Sequence, residues 1–234
     1  MGSRLGRGLT RLLTVVATWR YFKPAVFVGC MIPGLVVAYQ LCQLLVWQQP
    51  TALGPDPNKT LLHETGEDAL GILLITLCVT PVRRLLTINR VQIVRRMLGV
   101  WAFAYAVVHV SMYLVFDQLC YSLSTCQVGA IWDDVLKRKF IFAGLVAFTI
   151  LLLLAVTSTS GWVRRLKKRW QTLHRLVYVA AVAAIVHYVW IQKSDYGEPL
   201  KWAAYLALLL GLRVYLSAQK RRARRPIRLP ARAS

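Results

Sequence analysis

The sequence predicts an all-α membrane protein, a bundle of six transmembrane helices with both termini cytoplasmic. The first observation is that 57% of the 234 residues are hydrophobic although the formal net charge is +21. A soluble domain this apolar would aggregate, so the apolar runs and the charges must be segregated along the chain. The other two observations are six apolar stretches and a strong alternation of charge between the segments that join them.

The apolar stretches lie near residues 25–47, 66–86, 97–116, 140–157, 173–191 and 200–217. Each approaches the ~20 residues that a helix needs to cross a ~30 Å hydrocarbon core. We therefore expect three segments: a basic cytoplasmic N-terminal arm (1–24), a six-helix transmembrane domain (25–217) and a basic cytoplasmic C-terminal tail (218–234).

The connecting segments divide into two sets by charge. The N-terminal arm, residues 83–96, residues 164–175 and the region from Arg213 onward carry 24 of the 30 Lys and Arg residues and none of the nine Asp and Glu residues. The positive-inside rule places this set in the cytoplasm. The arginines adjoin the spans without interleaved aromatic residues, which favours contact with anionic membrane lipid over nucleic-acid binding.

The cysteines indicate little chemistry. Cys30, Cys42 and Cys78 fall in predicted spans, where a thiol usually serves as a small apolar residue. Cys120 and Cys126 share one outward-facing loop, and the sequence leaves open whether they form a disulfide.

Three of the four histidines, His109, His174 and His187, lie within predicted spans, and His63 lies at the start of one. A single buried histidine most often makes a hydrogen bond to a neighbouring helix. Three of them at depth, in spans predicted to contain no acidic residue, favour a functional role. Imidazoles held by facing helices in apolar surroundings are what a haem iron needs as axial ligands.

Helix rise gives the depth of each histidine above the basic charges. At ~1.5 Å per residue, His174 lies ~8 Å up, His109 ~21 Å up and His187 ~27 Å up. This predicts an outer haem between His109 and His187 and an inner haem on His174. An uninterrupted helix would place His174 and His187 on different faces.

The inner position has no obvious second ligand. Arg95 lies at the right level, but a guanidinium is a poor iron ligand and a better partner for a haem propionate. The open alternatives are a five-coordinate inner haem, a non-histidine ligand, a shared or rearranged ligand set, or a single bound haem.

His63 belongs to the segment "LGPDPNKTLLHETG", where Thr60 can cap the start of the second helix. A histidine there is consistent with a surface residue, a quinone contact or a neighbour of the outer haem. We expect a structural or ligand-adjacent role.

Five separated segments resemble the MsrQ family, formerly YedZ, of the ferric-reductase-like transmembrane group. They are "LGPDPNKTLLHETG", "LLITLCVTPVRRLL", "RRMLGVWAFAYAVVHVSMY", "TSTSGWVRRLKKRWQTLHRLVY" and "VAAVAAIVHYVW", within a likeness that runs from about residue 25 to 215. The resemblance implies haem b bound by His109, His174 and His187. Oxidases of the wider group carry a histidine at the inner position of the third helix, where this chain has Arg95.

The resemblance also implies partners and a second cofactor. Members are associated with FMN, take electrons from the quinone pool or a cytosolic flavin reductase, and pass them across the bacterial inner membrane. The acceptor is MsrP, a periplasmic molybdenum protein that reduces methionine sulfoxide, so the sulfoxide-reducing site is expected on that partner. Candidate partners for the FMN phosphate are Arg83, Arg84, Arg95, Arg96, Arg164 and Arg165, whose charges also serve orientation. The sequence contains no dinucleotide-binding fingerprint, so another protein must bind any nicotinamide.

The alternative is a non-redox membrane protein, either a small transporter or a structural subunit with hydrogen-bonded histidines. A proton path would use intramembrane carboxylates, and a transporter tends to show broken helices or an internal repeat. The sequence predicts none of these features, which favours the electron-transfer hypothesis.

Overall fold

The computed structural model describes residues 21–47, 53–118, 126–192 and 195–223, and within these ranges all regular structure is helical. The helices are α1 (Phe22–Leu45), α2 (Pro57–Leu86), α3 (Gln92–Met112, extended by a π-helical turn over Tyr113–Asp117), α4 (Val128–Lys137), α5 (Lys139–Val156), α6 (Ser160–Leu166), α7 (Lys168–Leu173), α8 (Val177–Ile191) and α9 (Gly197–Ala223). Six helical segments of the described ranges are long and apolar enough to cross a membrane, which confirms the predicted all-α fold with six membrane-spanning helices. The outer parts of the predicted arm and tail, residues 1–20 and 224–234, lie outside the described ranges.

Four helices form the centre of the bundle. The most extensive interfaces join α2 to α3 and α5 to α8, and contacts between α3 and α5 and between α2 and α8 close the ring. Ala102, Ala180 and Ala181 are fully buried where these helices meet, because small side chains let helix backbones approach closely. The helices α1 and α9 pack outside this ring, against α2 and α3 and against α2 and α8 respectively.

The outer surface of the bundle is apolar. Large hydrophobic side chains such as Ile32 and Leu35 on α1 and Leu208 and Val214 on α9 are more than half exposed. In water such a surface would be unfavourable, whereas hydrocarbon tails solvate it. The pattern is therefore that of a multi-pass membrane protein.

The start of α2 differs from the prediction. The helix begins at Pro57, nine residues before the predicted start, and Asp56 caps it by accepting a hydrogen bond from Lys59 N at 3.1 Å. The predicted cap, Thr60, instead donates its hydroxyl to the carbonyls of Leu53 and Asp56. Three acidic residues that were expected outside the spans, Glu64, Glu67 and Asp68, lie on α2, and Glu67 and Asp68 fall even within the predicted stretch 66–86.

The fifth span is also different, because it is broken. It runs as α7, a 3₁₀ turn over His174–Leu176, and then α8. The turn changes the angular step per residue, so rotation estimated for a continuous α-helix does not apply between His174 and His187. The sequence analysis predicted an unbroken helix there.

Helix α1 contains Pro33, which has no amide hydrogen, and the backbone next to it is completed by another helix. Tyr105 of α3 donates its hydroxyl to Cys30 O at 2.6 Å and accepts a hydrogen bond from Gly34 N at 2.6 Å. The phenol therefore lies between a carbonyl and an amide that would pair directly in a regular helix. This contact fixes the depth of α1 against α3.

The charged segments gather at opposite ends of the bundle. We call the end that carries residues 83–96 and 157–175 the basic end, and the end that carries residues 53–68, 113–139 and 195–198 the acidic end. At the acidic end Asp134 of α4 accepts hydrogen bonds from Tyr113, Gln118 and Arg138. Helix α4 itself was not predicted.

The cysteine prediction is only partly within the described ranges. Cys126 is disulfide-bonded, and Cys120 lies outside the described residues. Cys30, Cys42 and Cys78 are free thiols on α1 and α2.

Candidate functional site

His109 is fixed by helix α2. Its Nδ1 lies 2.9 Å from Leu62 O, and Thr65 Oγ1 lies 3.5 Å from the same nitrogen. Gly66, four residues after Leu62, presses on the ring, since a Cβ at residue 66 would be 3.0 Å from the His109 Cε1. One carbonyl and one glycine of α2 thus set the orientation of this imidazole.

His187 is fixed in the same manner by helix α5. Its Nδ1 lies 2.6 Å from Phe140 O. Gly144, again four residues after the residue that supplies the carbonyl, is so close that a Cβ there would be 2.8 Å from the His187 Nδ1. In both cases the histidine follows the carbonyl by 47 residues. The hairpins α2–α3 and α5–α8 therefore build equivalent half-sites, and this internal correspondence was not found in the sequence.

The two half-sites face each other across the four-helix ring. The ring centroids of His109 and His187 are 6.1 Å apart, and their planes meet at 85°. A metal binds each imidazole nitrogen at about 2 Å, so two imidazoles on opposite sides of one metal ion have centroids separated by about 6 Å. The observed spacing matches that arrangement.

The hydrogen bonds of His109 and His187 also define which ring nitrogen is available to bind a metal. A carbonyl only accepts hydrogen bonds, so Nδ1 carries the proton in both neutral rings and Nε2 keeps its lone pair. Nε2 of either histidine makes no hydrogen bond within the described part of the chain. Orientation of a ligating imidazole through its other nitrogen is the usual outer-shell arrangement of a metal site.

Protein side chains offer these two imidazoles no further metal ligands. In the described ranges no three His, Cys, Asp or Glu side chains converge as a possible metal centre. The donor set is the Nε2 atoms of two imidazoles whose centroids are 6.1 Å apart in an apolar ring of helices. Such a set fits a planar macrocycle that supplies the remaining ligands of its own iron.

His174 lies toward the basic end, apart from this pair. Its Nδ1 is 3.2 Å from Trp170 O, and its ring stacks on the Trp170 indole with centroids 3.9 Å apart. Its Nε2 lies 3.3 Å from Ser158 Oγ, but the Ser158 hydroxyl has a closer acceptor in Leu154 O at 2.7 Å. Because Trp170 O can only accept, Nδ1 carries the proton of the neutral ring and the His174 Nε2 keeps its lone pair.

Arg95 is the residue predicted near the inner position. It lies within electrostatic range of His174 and of Arg213 on α9. The other three histidines lie toward the acidic end, so none of them is positioned beside His174.

His63 belongs to a separate polar cluster at the acidic end. Its Nδ1 lies 3.8 Å from Glu67 Oε1, and its ring meets the edge of Tyr188 with centroids 5.2 Å apart. Tyr188, the residue after His187, donates its hydroxyl to the same Glu67 oxygen at 2.5 Å. The structure thus places His63 beside the histidine pair but not in it.

The arginines predicted to contact a flavin phosphate lie at the basic end but not as one group. Arg164 and Arg165 line an open groove of about 470 Å³ with Thr159, Gly161 and Trp162, and the Arg165 guanidinium lies 5.7 Å from the Trp162 ring centroid. Arg84 instead donates to Ser217 on α9 at 3.0 Å. Arg83, Arg95 and Arg96 make no ion pair among the described residues.

Several residues that shape the site were missed by the sequence analysis. They are Gly66, Gly144, Ser158, Trp170, Glu67 and Tyr188. Each glycine lies four residues after the residue that supplies the carbonyl. This spacing becomes a signal only when it is known which helices pair.

Comparison with known proteins agrees with the fold. Residues 65–185 match the model of the family described as ferric reductase like transmembrane component. This range includes His109 and His174 and, from the second half-site, Phe140 and Gly144. The chain is therefore a membrane protein of the ferric-reductase-like class.

Curated relatives narrow this class to one family. A protein of Xanthomonas axonopodis pv. citri (strain 306) named "Protein-methionine-sulfoxide reductase heme-binding subunit MsrQ" is 42% identical over 89% of this chain and 94% of its own length. A relative of the same name from Herminiimonas arsenicoxydans is 39% identical over 85% of this chain and 87% of its own length. The chain belongs to the MsrQ family.

Proposed function

We propose that this chain is the haem b-containing electron-transfer subunit of a protein-methionine-sulfoxide reductase system. The observation that carries the proposal is the pair His109 and His187, whose centroids are 6.1 Å apart and whose Nδ1 atoms are both held by backbone carbonyls. The names of the relatives, which are heme-binding subunits, support the same cofactor.

The residues of the chain have distinct roles in this proposal. His109 and His187 hold one haem, and His174 holds an inner haem toward the basic end. Leu62 O and Phe140 O keep the two outer imidazoles in the tautomer that ligates through Nε2. A bound haem supplies one-electron chemistry between its ferric and ferrous states. The surrounding apolar helices exclude water from that chemistry.

The protein receives electrons on one side of the membrane and delivers them on the other in this proposal. We infer that the chain takes electrons from the quinone pool or a cytosolic flavin reductase and delivers them to a periplasmic molybdenum reductase of the MsrP type. The sulfoxide is reduced on that partner, which repairs oxidised periplasmic proteins. The basic end, with 24 of the 30 Lys and Arg residues in its segments and the flanking arm and tail, faces the cytoplasm of an inner-membrane protein.

FMN is the remaining proposed cofactor. The groove lined by Trp162, Arg164 and Arg165 combines an aromatic surface with two guanidinium groups, which suits an aromatic ring and a phosphate. Its position at the basic end suits a flavin that receives electrons from a cytosolic reductase.

Absorption spectra of the purified protein test the haem proposal. Reduced-minus-oxidised spectra should show a b-type haem that His109→Ala and His187→Ala each reduce by more than half. His63→Ala is the matched control and should retain the spectrum, because His63 lies beside the pair and contacts Glu67 instead. Wild-type protein that is folded and contains no haem would contradict the proposal.

A further inference from the structure

Three arginines from different helices converge at the basic end without an acidic partner. Arg213 of α9 lies within electrostatic range of Arg84 on α2 and Arg95 on α3. The five ion pairs of the described residues lie at the acidic end or within one helical turn of it. None of them involves Arg84, Arg95 or Arg213. Guanidinium groups that lie near one another repel, and an anion bound among them would offset this repulsion.

Two atoms of this cluster lack the hydrogen bonds that buried polar groups normally make. Nη1 of Arg213 and the hydroxyl of Tyr178 on α8 are both buried without a partner. They belong to neighbouring side chains, because the Arg213 guanidinium lies 4.8 Å from the Tyr178 ring centroid. A buried donor left unpaired destabilises the folded protein. An acceptor placed between them would remove both costs.

The remaining contacts hold the cluster in position. Arg84 donates to Ser217 Oγ at 3.0 Å, and the Ser217 hydroxyl donates to Arg213 O at 2.7 Å. Ser217 therefore ties α2 to α9 next to Arg213. These two bonds hold the Arg84 guanidinium next to the Arg213 backbone, while Nη1 of Arg213 remains without a partner.

The position of the cluster indicates which anion it binds. Tyr178 follows His174 by four residues, just beyond the 3₁₀ turn His174–Leu176. Arg95 lies within electrostatic range of both His174 and Arg213. Arg95 therefore connects the cluster with the imidazole proposed to hold the inner haem, and a haem carries two carboxylates on its edge. Guanidinium groups bind carboxylates through two parallel hydrogen bonds.

We propose that Arg213 and Tyr178, with Arg95, form the carboxylate site for the propionates of the haem held by His174. This inference rests on the proposed function and adds two binding residues to it. Arg213 supplies the charge through Nη1, and Tyr178 donates its hydroxyl to the same group.

Haem and its dimethyl ester distinguish a carboxylate site from a general structural role. Haem-depleted wild-type protein, Arg213→Gln and Tyr178→Phe are titrated with each compound, and binding is followed by absorption. The ester lacks the carboxylate charges, so only the binding of free haem depends on Arg213. We expect Arg213→Gln to weaken the haem-binding phase assigned to His174 about tenfold or more, as the loss of a charge-assisted hydrogen bond predicts. Ester binding should be unchanged.

Controls separate this effect from misfolding and from other anions. Arg169→Gln removes an exposed arginine at the same end and should leave both titrations unchanged, whereas Tyr178→Phe removes one hydroxyl and should weaken only haem binding. Equal loss of haem and ester in Arg213→Gln would overturn the inference. Loss of co-purifying phospholipid or FMN with haem binding intact would assign the site to a phosphate and would also overturn it. Wild-type protein that binds no haem would instead refute the proposed function.

Discussion

Gly144 of α5 lies directly against His187 of α8, and a methyl group at residue 144 would be 2.8 Å from the ring Nδ1. That distance is shorter than van der Waals contact, and the atom it meets belongs to a ring already bound to Phe140 O. Gly144→Ala must therefore displace His187 or separate α5 from α8. Overpacking of this kind costs about 1–3 kcal/mol. We expect Gly144→Ala to lower both the melting temperature in detergent and the haem content per chain.

Gly99→Ala is the matched control for this substitution. A Cβ at residue 99 would meet only Thr76 Cγ2 at 3.9 Å, which is ordinary contact. The gain in helix propensity of up to about 1 kcal/mol should make that variant neutral or more stable. Equal haem content in Gly144→Ala and Gly99→Ala would show that the glycine does not position His187.

His174→Ala should separate the two proposed haem positions. His174 contacts Trp170 and Ser158 and is apart from the pair formed by His109 and His187. Its loss should remove about one haem of two per chain and leave the spectrum of the outer pair in place. A haem assay with protein quantification measures this. An unchanged haem content would show that a single haem is bound.

The hydrogen bond between Tyr188 and Glu67 should contribute measurably to stability. It joins α8 to α2 at 2.5 Å and includes a carboxylate, and bonds to charged groups contribute about 1.5–3 kcal/mol. Tyr188→Phe should lower the melting temperature of the detergent-solubilised protein. Tyr205→Phe, which alters an exposed ring on α9, should not. Similar melting of the two variants would argue that the bond makes no net contribution.

Tyr105→Phe should destabilise the contact between α1 and α3. The substitution removes the hydroxyl that pairs with both Cys30 O and Gly34 N, so two backbone groups lose their partner. A loss of about 1–3 kcal/mol is expected. Limited proteolysis and thermal melting measure it, with Tyr215→Phe on the exposed face of α9 as control. Wild-type stability in Tyr105→Phe would mean that water replaces the hydroxyl.

Orientation in the membrane can be tested with single cysteines in a chain that lacks the native ones. Gly129→Cys on α4 at the acidic end should react with a membrane-impermeant maleimide in intact cells. Gly161→Cys on α6 at the basic end should react only after the membrane is opened. Both glycines have open space around them, so access depends on the side of the membrane. The reverse labelling pattern would place the basic end outside the cytoplasm.

The sequence predicts the six spans well because hydrophobic length is a local property. It predicts the helix ends less well, since Asp56 and Pro57 begin α2 inside a polar segment. Helix rise alone predicts that His109 and His187 lie closer in depth to each other than to His174. It does not predict how their rings are held, because this depends on which helices pair and on backbone carbonyls that any residue carries. Arg213 and Tyr178 could not be singled out from the sequence either. Arg213 resembles a charge that orients the protein in the membrane, and Tyr178 resembles an ordinary aromatic residue of a span.

The hydroxyl of Tyr105 has a consequence for how the bundle assembles. Helix α1 precedes its partner by 71 to 75 residues, so it enters the bilayer before α3 is available. Until then Gly34 N and Cys30 O can be satisfied within lipid only by pairing with each other, as in a regular helix. Docking onto α3 therefore replaces one hydrogen bond inside α1 by two hydrogen bonds to the Tyr105 hydroxyl. The tyrosine thereby links the placement of the first span to the arrival of the third.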